Sequence, residues 1–317
     1  MPLMTFASRP VRGSHHSSRE ESGEAREQTS VHTSVMVQEV LRLLAPRDGE
    51  AVLDATYGLG GHSRALERAA RVRLVAIDAD PRLPAQAGES RVIVGNFASL
   101  DAILKKLGIT KIDKALFDLG WNRAQLEAGK GFSFLVDEPL NMSYGAAPLS
   151  GFTARDIVNT WSEKALADVF YGYGEERYAR RIANAVIERR KIQPIETTIE
   201  LVEIIKDAVP PSYRHGRLHP ATRSFQALRI AVNDELRAIE RGVSAAWKHL
   251  SPCGRIVVIT FHSIEDRAVK RLFASLVKKG GVLLVKKPLV PSREEIIRNP
   301  SARSAKLRAI EKPCKKD

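Results

Sequence analysis

The stretch Asp54-Ala55-Thr56-Tyr57-Gly58-Leu59-Gly60-Gly61-His62 is a glycine-rich turn that directly follows an apolar run, AVLDAT at 51–56, and leads into a helix beginning near Ser63. Glycine lets a backbone turn with positive φ and approach a ligand closely. The first N–H groups of a helix have no partner within the helix and lie at the positive end of its dipole. The stretch therefore predicts a strand, a turn and a helix that suit a carboxylate or a phosphate of a ligand.

Further apolar runs follow this turn, and each is nearly wholly apolar, as expected for a strand covered by helices on both faces. They are RLVAID (73–78), RVIVGN (91–96), KALFDLG (114–120) and, after a long gap, RIVVITFH (255–262). Two late runs, VLLVKK (282–287) and KLRAIEK (306–312), are candidates for a hairpin at the edge of the sheet. The pattern predicts an α/β protein with a Rossmann-like parallel sheet.

The segment between the two groups of strands shows helical patterns instead. Thr197 with Glu200 three residues later predicts a capping box at the start of a helix. After Pro220 the pattern predicts one long helix that ends at SPCG (251–254). Its apolar residues recur at spacings of three and four, as one face of a helix requires: Phe225, Leu228, Val232, Leu236, Ile239 and Val243.

The composition of each segment divides the chain into three parts. Residues 1–30 show no apolar period and are predicted to be a disordered tail without a targeting signal. Residues 31–150 and 212–317 are predicted to form the Rossmann-like domain. Residues 151–211 are predicted to form an inserted all-helical domain, for which we expect a role in substrate recognition.

Composition also narrows the class of partner. The 317 residues carry 50 Lys and Arg against 37 Asp and Glu, a formal net charge of +13, and this surplus favours encounter with RNA or DNA. No apolar run approaches the roughly 20 residues that cross a bilayer. The two cysteines, Cys253 and Cys314, lack the spacing of zinc ligands. We therefore expect a reducing, cytoplasmic compartment, no structural metal and no disulfide.

Asp78 ends the second apolar run about twenty residues beyond the glycines, where a carboxylate can accept two ribose hydroxyls. This arrangement fits adenosine cofactors in general, both NAD and S-adenosylmethionine. The turn lacks the third glycine of the NAD pattern G-x-G-x-x-G, which favours a methyltransferase over a dehydrogenase. Phe97, after the next run, is a candidate for stacking on an adenine, with a position in the core as the alternative.

Asp118 lies at the end of the fourth apolar run, at the predicted carboxyl edge of the sheet, where open α/β folds bind their ligands. Burial of a carboxylate there is unfavourable without a partner. Asp118 could cap a following turn, contact the methionyl part of a cofactor, or accept a hydrogen bond from an amino group that is being methylated. In the last role it would help to disperse the positive charge that develops on the amine.

A series of motifs runs through nearly the whole chain after its first thirty or so residues. They are HTSV (32–35), YGLGGHS (57–63), DLG (118–120), QL (125–126), GFSF (131–134), YGEER (173–177), HPATR (219–223), FQA (225–227), NDEL (233–236), FHSIEDR (261–267) and RSAKLR (303–308). In this order they resemble the RsmH (formerly MraW) family of ribosomal RNA cytidine N4-methyltransferases. So many motifs in one order make coincidence negligible.

The resemblance implies a class I methyltransferase domain with an inserted helical domain and S-adenosylmethionine as the cofactor. It also implies methylation of a cytidine in the decoding region of small-subunit (16S) rRNA, as free RNA or in the assembled small ribosomal subunit. The residues that it places at the cofactor are Gly58, Gly60, Gly61, His62, Asp78, Phe97, Asp118 and Gln125. It leaves the oligomeric state open, with a homodimer as one alternative.

Residues outside the cofactor motifs are candidates for binding the RNA substrate. They are Arg123, His219, Thr222, Arg223, His262 and Ser263. The alternatives are a helix start with core packing at HPATR and a structural histidine at His262. The arginines between 177 and 190 would give the helical insertion a basic face for RNA phosphates, although such a run is more often a solvated face.

The chain departs from the family pattern near the opening of the predicted active site. Asn122-Arg123 stands where the family commonly has Ser-Ser, and Asn141-Met142-Ser143 stands where it has Asp-Met-Arg. We therefore treat Asn141, together with Asp118, as a candidate catalytic residue. Arg123 is a candidate to compensate for the arginine absent at Ser143.

Two other functions stay open on the sequence alone. A DNA amino-methyltransferase would share the chemistry, but DLGWN (118–122) differs from the D/N/S-P-P-aromatic tetrad usual in those enzymes. A non-catalytic RNA-binding ribosome assembly factor that retains the cofactor fold is kept open by Asn141 and Ser143. Fold alone does not distinguish these functions.

Overall fold

The structure is a computed structural model that describes residues 33–83, 86–87, 90–119 and 129–314. Its central sheet has the strand order β3-β4-β2-β1-β5-β6-β8-β7. The strands are β1 (Ala51–Asp54), β2 (Arg73–Asp78), β3 (Gln86–Ala87), β4 (Ser90–Val94), β5 (Ile112–Asp118), β6 (Leu250–Thr260), β7 (Val282–Leu283) and β8 (Lys306–Glu311). The pairings from β4 to β6 are parallel, and β8 pairs antiparallel with both β6 and β7. The parallel sheet and the edge hairpin of the late runs are thereby confirmed.

The helices lie before, between and after these strands. In chain order they are α1 (Val37–Leu44), α2 (Gly61–Ala69), α3 (Leu100–Lys106), α4 (Ala154–Thr160), α5 (Glu163–Gly174), α6 (Ala179–Ile192), α7 (Thr198–Ala208), α8 (Pro211–Arg214), α9 (Thr222–Asn233), α10 (Glu235–His249), α11 (Ser263–Val277) and α12 (Arg293–Arg298). Single 3-10 turns occupy Phe97–Ser99 and Pro300–Ser304. Among the residues described, no helix has the length and apolarity needed to cross a membrane.

The wholly apolar strands are explained by cores on both faces of the sheet. On one face the sheet packs against α10, and the buried residues include Leu53, Phe117, Ile256, Ile239 and Val243. On the other face it packs against α1, and the buried residues include Val52, Leu116, Val257, Val40 and Leu44. Successive residues of a strand point to opposite faces, so most positions of a strand covered on both faces are apolar, and the buried Lys114 of β5 pairs with Glu50.

The helical segment has a third core of its own. Its buried residues come from α4, α5, α6, α7 and α9, and include Ile157, Phe170, Ile182, Leu201 and Leu228. The capping box at the start of α7 is confirmed, because Thr197 accepts from the Glu200 N–H and Glu200 accepts from the Thr197 N–H. The division into a tail (1–30), a two-part domain and an insertion (151–211) stays a prediction. The tail itself lies outside the described residues.

The prediction of one long helix after Pro220 is wrong, because the chain breaks between α9 and α10. Asp234 adopts a left-handed conformation with φ of 44°, which Asp tolerates better than most residues. The break lets the apolar residues serve two cores. Phe225 and Val232 lie in the helical core, whereas Ile239 and Val243 lie under the sheet.

The prediction that the cysteines are unpaired is also wrong, because Cys253 and Cys314 form a disulfide. The antiparallel pairing of β6 with β8 brings the two residues together: the Cys253 N–H donates to the Lys312 carbonyl at 3.1 Å, and the two Cα atoms lie 4.5 Å apart. Their separation of 61 residues hides this proximity in the sequence.

Removal of the disulfide is expected to lower the free energy of unfolding. Closing a loop of this length restricts the unfolded chain by about 4 kcal/mol in the chain-entropy model. The measurement is urea unfolding of the wild type and of Cys253→Ser, each with and without a thiol reductant. The reductant should destabilise only the wild type. Two freely titrating thiols in the untreated wild type would contradict the expectation.

Candidate functional site

Asp54, at the end of β1, fixes the shape of the glycine-rich turn. It is buried, and it accepts a hydrogen bond from the Ser63 hydroxyl at 2.6 Å and one from the Thr56 N–H at 3.2 Å. Burial raises the pKa of Asp54 in spite of these hydrogen bonds. The carboxylate therefore ties the start of the turn to the first turn of α2, a structural role that the sequence did not reveal.

Two glycines of the turn are required by packing. A Cβ at Gly60 would lie 2.3 Å from the Tyr57 hydroxyl, and a Cβ at Gly61 would lie 1.9 Å from the Ser34 hydroxyl. Gly60 is also left-handed, with φ of 74°. As the N-cap residue of α2 it provides no side-chain acceptor, so the first N–H groups of the helix can serve a ligand.

Asp78 joins the glycine turn to the turn after β2. One carboxylate oxygen accepts from the Gly58 N–H at 2.7 Å, and the other accepts from the Asp80 N–H at 2.9 Å. Burial raises the pKa of Asp78 against the effect of these bonds. Because each carboxylate oxygen can accept more than one hydrogen bond, Asp78 keeps capacity for ribose hydroxyls.

Phe97 is partly buried next to this edge of the sheet. Its ring makes an edge-to-face contact with Phe117 at a centroid distance of 5.7 Å. A Cβ at Gly242 would lie 2.6 Å from the Phe97 ring, so α10 approaches it closely. Phe97 thus contributes to the core while part of it stays accessible, and its stacking on an adenine stays a prediction.

His62 and Asp118 meet where α2 begins and β5 ends. The Asp118 N–H donates to the Thr56 hydroxyl at 2.6 Å. His62 Nε2 lies 3.4 Å from Asp118 Oδ2, within reach of an ion pair but outside hydrogen-bond geometry. Burial lowers the pKa of His62, but the carboxylates of Asp118 and Asp54 raise it by more, so the net pKa is raised.

Three polar atoms of this pair are buried without a hydrogen bond. Both ring nitrogens of His62 and Oδ1 of Asp118 find no partner within the part of the chain that the structure describes. Buried polar groups are nearly always satisfied in folded proteins. A ligand with donors and acceptors at this point would satisfy them.

Asn141 and Ser143, the departures from the family pattern, form a tight turn. The Asn141 side chain accepts from the Ser143 N–H at 2.9 Å, and the Ser143 hydroxyl donates to the Gly145 carbonyl at 3.3 Å. Lys130 donates to the Ser143 and Gly145 carbonyls at 3.3 and 3.0 Å. These hydrogen bonds join Asn141 to its own segment, so its catalytic role stays a prediction.

A buried ionic cluster lies beside this segment, and we call it the Arg229 cluster. Its members are Tyr144, Arg229, Glu235, His262 and Glu265. Arg229 donates to both carboxylate oxygens of Glu235, at 2.8 and 3.1 Å, and Tyr144 donates to the same carboxylate at 3.1 Å. His262 Nε2 lies 3.2 Å from the Arg229 guanidinium and 3.1 Å from the Glu265 carboxylate. The cluster thus links the 141–145 segment to α9, α10 and α11.

The electrostatics of the Arg229 cluster are dominated by its buried charges. Burial lowers the pKa of Arg229, but Glu235 and its neighbours raise it by more. Burial also raises the pKa of Tyr144 well above its ordinary range. Ligand atoms of Glu235, His262 and Glu265 lie within 4.8 Å of one another. The Arg229 guanidinium already forms a bidentate pair with Glu235 and supplies a positive charge beside the Glu235 and Glu265 carboxylates.

Two of the predicted RNA contacts, Arg223 and Ser263, are brought together by Glu175. Arg223 donates to the Glu175 carbonyl at 2.9 Å, and the Ser263 hydroxyl donates to its carboxylate at 2.8 Å. Arg267 also bonds this carboxylate, and these side-chain hydrogen bonds lower the pKa of Glu175. The sequence named the motif YGEER but gave no role to Glu175.

The other predicted RNA contacts are dispersed. His219 stacks on Phe134 just before α9, and Thr222 is the first residue of that helix. His262 belongs to the Arg229 cluster and also caps α11 through Nδ1. Arg123 and the predicted cofactor contact Gln125 lie outside the described residues, as does Asn122.

The predicted arginine face of the helical segment is partly occupied within the protein. Arg190 donates to the carbonyls of Val158 and Trp161 at 2.9 and 2.7 Å. The Arg177 guanidinium lies 4.9 Å from the ring centroid of Tyr178 and 4.8 Å from that of Tyr213. Arg190 therefore has a structural role, whereas Arg177 is exposed and stacked.

Comparison with known proteins gives one consistent result. The model of the MraW methylase family matches residues 29–313. Proteins named ribosomal RNA small subunit methyltransferase H are similar over most of the chain. The one from Kosmotoga olearia is 44% identical over 304 residues, covering 90% of this chain and 99% of the relative. The one from Deinococcus deserti is 45% identical over 289 residues, covering 89% and 93%.

Solved structures show a weaker likeness. An rRNA methylase from Streptococcus thermophilus superposes with a TM-score of 0.40 at 11% identity, covering 87% of this chain and 93% of that one.

Proposed function

The chain belongs to the MraW methylase family, and from this we propose that it transfers a methyl group from S-adenosylmethionine to the N4 amino group of a cytidine in small-subunit rRNA. The observation that carries the proposal is the buried pair of His62 and Asp118 at the carboxyl edge of the parallel sheet, three polar atoms of which have no hydrogen-bond partner among the described residues. The names of relatives that are 44% identical support the RNA substrate.

The residues around the glycine turn fit S-adenosylmethionine. The first N–H groups of α2 offer partners to its polar methionyl end. So does His62, whose Nε2 lies 3.4 Å from Asp118 and whose Nδ1 has no hydrogen-bond partner among the described residues. Asp78 would accept hydrogen bonds from the ribose hydroxyls, and Phe97 would contact the adenine. When bound, the cofactor supplies an electrophilic methyl group, and the protein supplies binding and orientation.

Asp118 would act on the nucleophile. The lone pair of a cytosine amino group is delocalised into the ring, so the amine is a poor nucleophile. A carboxylate that accepts a hydrogen bond from this amine would orient it for in-line attack and stabilise the positive charge that develops on nitrogen. The Thr56 hydroxyl holds the Asp118 backbone in place for this task.

The target cytidine must be unpaired to enter the site, because the amino group of a paired base is engaged. We propose that residues 151–211 recognise the RNA around this cytidine and that the decoding region of the small subunit is the natural target. The net charge of +13 favours this encounter.

The test is transfer of labelled methyl from S-adenosylmethionine to small ribosomal subunits that lack the modification, followed by digestion of the RNA to nucleosides. We expect the label in N4-methylcytidine, and faster transfer to subunits with an exposed decoding region than to a duplex fragment. Cofactor binding without transfer would instead favour an assembly factor. Label in DNA but not in RNA would favour a DNA amino-methyltransferase.

A further inference from the structure

A cleft of about 280 Å³ lies between α7 and the loop that leads into α9. It belongs to the helical part of the protein, apart from the sheet edge that carries Asp118. Two carboxylates, Glu203 and Asp207, and two cations, Lys206 and Arg214, line it. Because these four charges balance, the cleft suits a neutral polar group better than an isolated phosphate.

One wall of the cleft is an aromatic stack. The His219 ring lines the cleft and lies parallel to the Phe134 ring, with centroids 4.7 Å apart and planes within 5°. Phe134 in turn packs edge-on against Phe225 at 5.7 Å. The stack is therefore anchored in the helical core and ends at the cleft.

The orientation of the His219 ring is fixed. Its Nδ1 accepts a hydrogen bond from the Ala221 N–H at 3.3 Å, so in the neutral ring the hydrogen lies on Nε2. Burial, and secondly Lys206, lower the pKa of His219. The ring is therefore neutral at pH 7, and a base can stack on it without desolvating a charge.

We propose that this cleft binds one unpaired nucleobase of the RNA, stacked on His219 and hydrogen-bonded through its amino group to Glu203 or Asp207. This base is distinct from the cytidine that is methylated, and the inference rests on the proposed RNA substrate. Adenine presents an amino group with no carbonyl oxygen beside it, whereas the single N3–H of uracil lies between two carbonyl oxygens that carboxylates repel, so the two carboxylates favour adenine over uracil. The exposed residues Arg217 and Leu218 lie in the same loop.

The test is the affinity of the full chain for fluorescein-labelled oligoadenylate and oligouridylate of equal length, measured by fluorescence anisotropy at one ionic strength. We expect tighter binding of oligoadenylate. His219→Ala should weaken it about ten-fold, the scale of one lost base stack, whereas His219→Phe should retain it. His249→Ala is the matched control, because it removes an imidazole that lies outside the cleft and bonds Asp101, and it should change the affinity by less than about two-fold.

The double variant Glu203→Ala, Asp207→Ala tests the hydrogen bond separately, because it removes both carboxylates that line the cleft, and both side chains are exposed. This variant should lower the ratio of the affinity for oligoadenylate to the affinity for oligouridylate. Equal effects of His219→Ala and His249→Ala would overturn the proposal, and so would an unchanged ratio of the two affinities in the variant that lacks both carboxylates. So would failure of the wild type to bind either RNA. Methyl transfer by the wild type is assayed in parallel. Absence of transfer would contradict the proposed function. Transfer by the wild type together with an unchanged RNA affinity in His219→Ala would contradict only the proposal that the cleft binds a base.

Discussion

Asp118→Ala is expected to lower kcat for methyl transfer by about a hundred-fold to a thousand-fold, the usual effect of removing one group aimed at the charge of a transition state. The variant should fold normally, because the Asp118 backbone is held by Thr56 and no residue in the described part of the chain hydrogen-bonds to Asp118 Oδ1. The measurement is single-turnover transfer at saturating cofactor, with cofactor affinity determined separately by calorimetry.

Two variants sharpen this experiment. Asp118→Asn keeps an acceptor oxygen but loses the charge, so kcat should fall by less in Asp118→Asn than in Asp118→Ala. Asp168→Ala, which removes an exposed aspartate paired with Lys164 on the surface of α5, should leave the rate unchanged. A rate in Asp118→Ala within about three-fold of the wild type would remove Asp118 from the mechanism.

Arg229→Met is expected to lower the free energy of unfolding by about 3–5 kcal/mol, because it leaves buried carboxylates without a counter-charge. The Arg229 and Glu235 side chains are only 12% and 7% exposed, and their pairing is bidentate. Urea unfolding followed by far-ultraviolet circular dichroism measures the change.

The matched control is Arg155→Met, which breaks the ion pair of Arg155 with Glu196. The side chains of Arg155 and Glu196 are 50% and 47% exposed. Water solvates the Glu196 carboxylate that is left behind, so the free energy of unfolding should fall by far less than in Arg229→Met. The double variant Arg229→Met, Glu235→Leu removes both charges and should be more stable than Arg229→Met alone. A double variant that is less stable than the single one would contradict the argument from unpaired charge.

The sequence predicted those parts of the fold that depend on local pattern. The apolar runs located the strands, and Thr197 with Glu200 located the start of α7. Periodicity could not predict the break at Asp234, because the same helical face continues across it while the core that it faces changes. The disulfide was missed for a related reason: Cys253 and Cys314 become neighbours only through the pairing of β6 with β8.

The candidate site was predictable where a residue ends a strand. Asp78 and Asp118 both end strands at the carboxyl edge of the sheet, as their runs indicated. His62 came only from the family resemblance. The Arg229 cluster was not predicted, because its members come from four separate segments and the only local sign is the spacing of His262 and Glu265 at the start of α11.

The order of the strands has a consequence for synthesis of the protein. β5 pairs with β6, yet α4 to α10 are translated between them. A growing chain emerges with its N-terminus first, so β5 remains an uncovered edge until β6 and β8 follow. Such edges are templates for aggregation, and pairing across a long separation is slow. A nascent chain stalled before Leu250 should therefore require a chaperone, whereas the completed chain covers the edge with its own last strands.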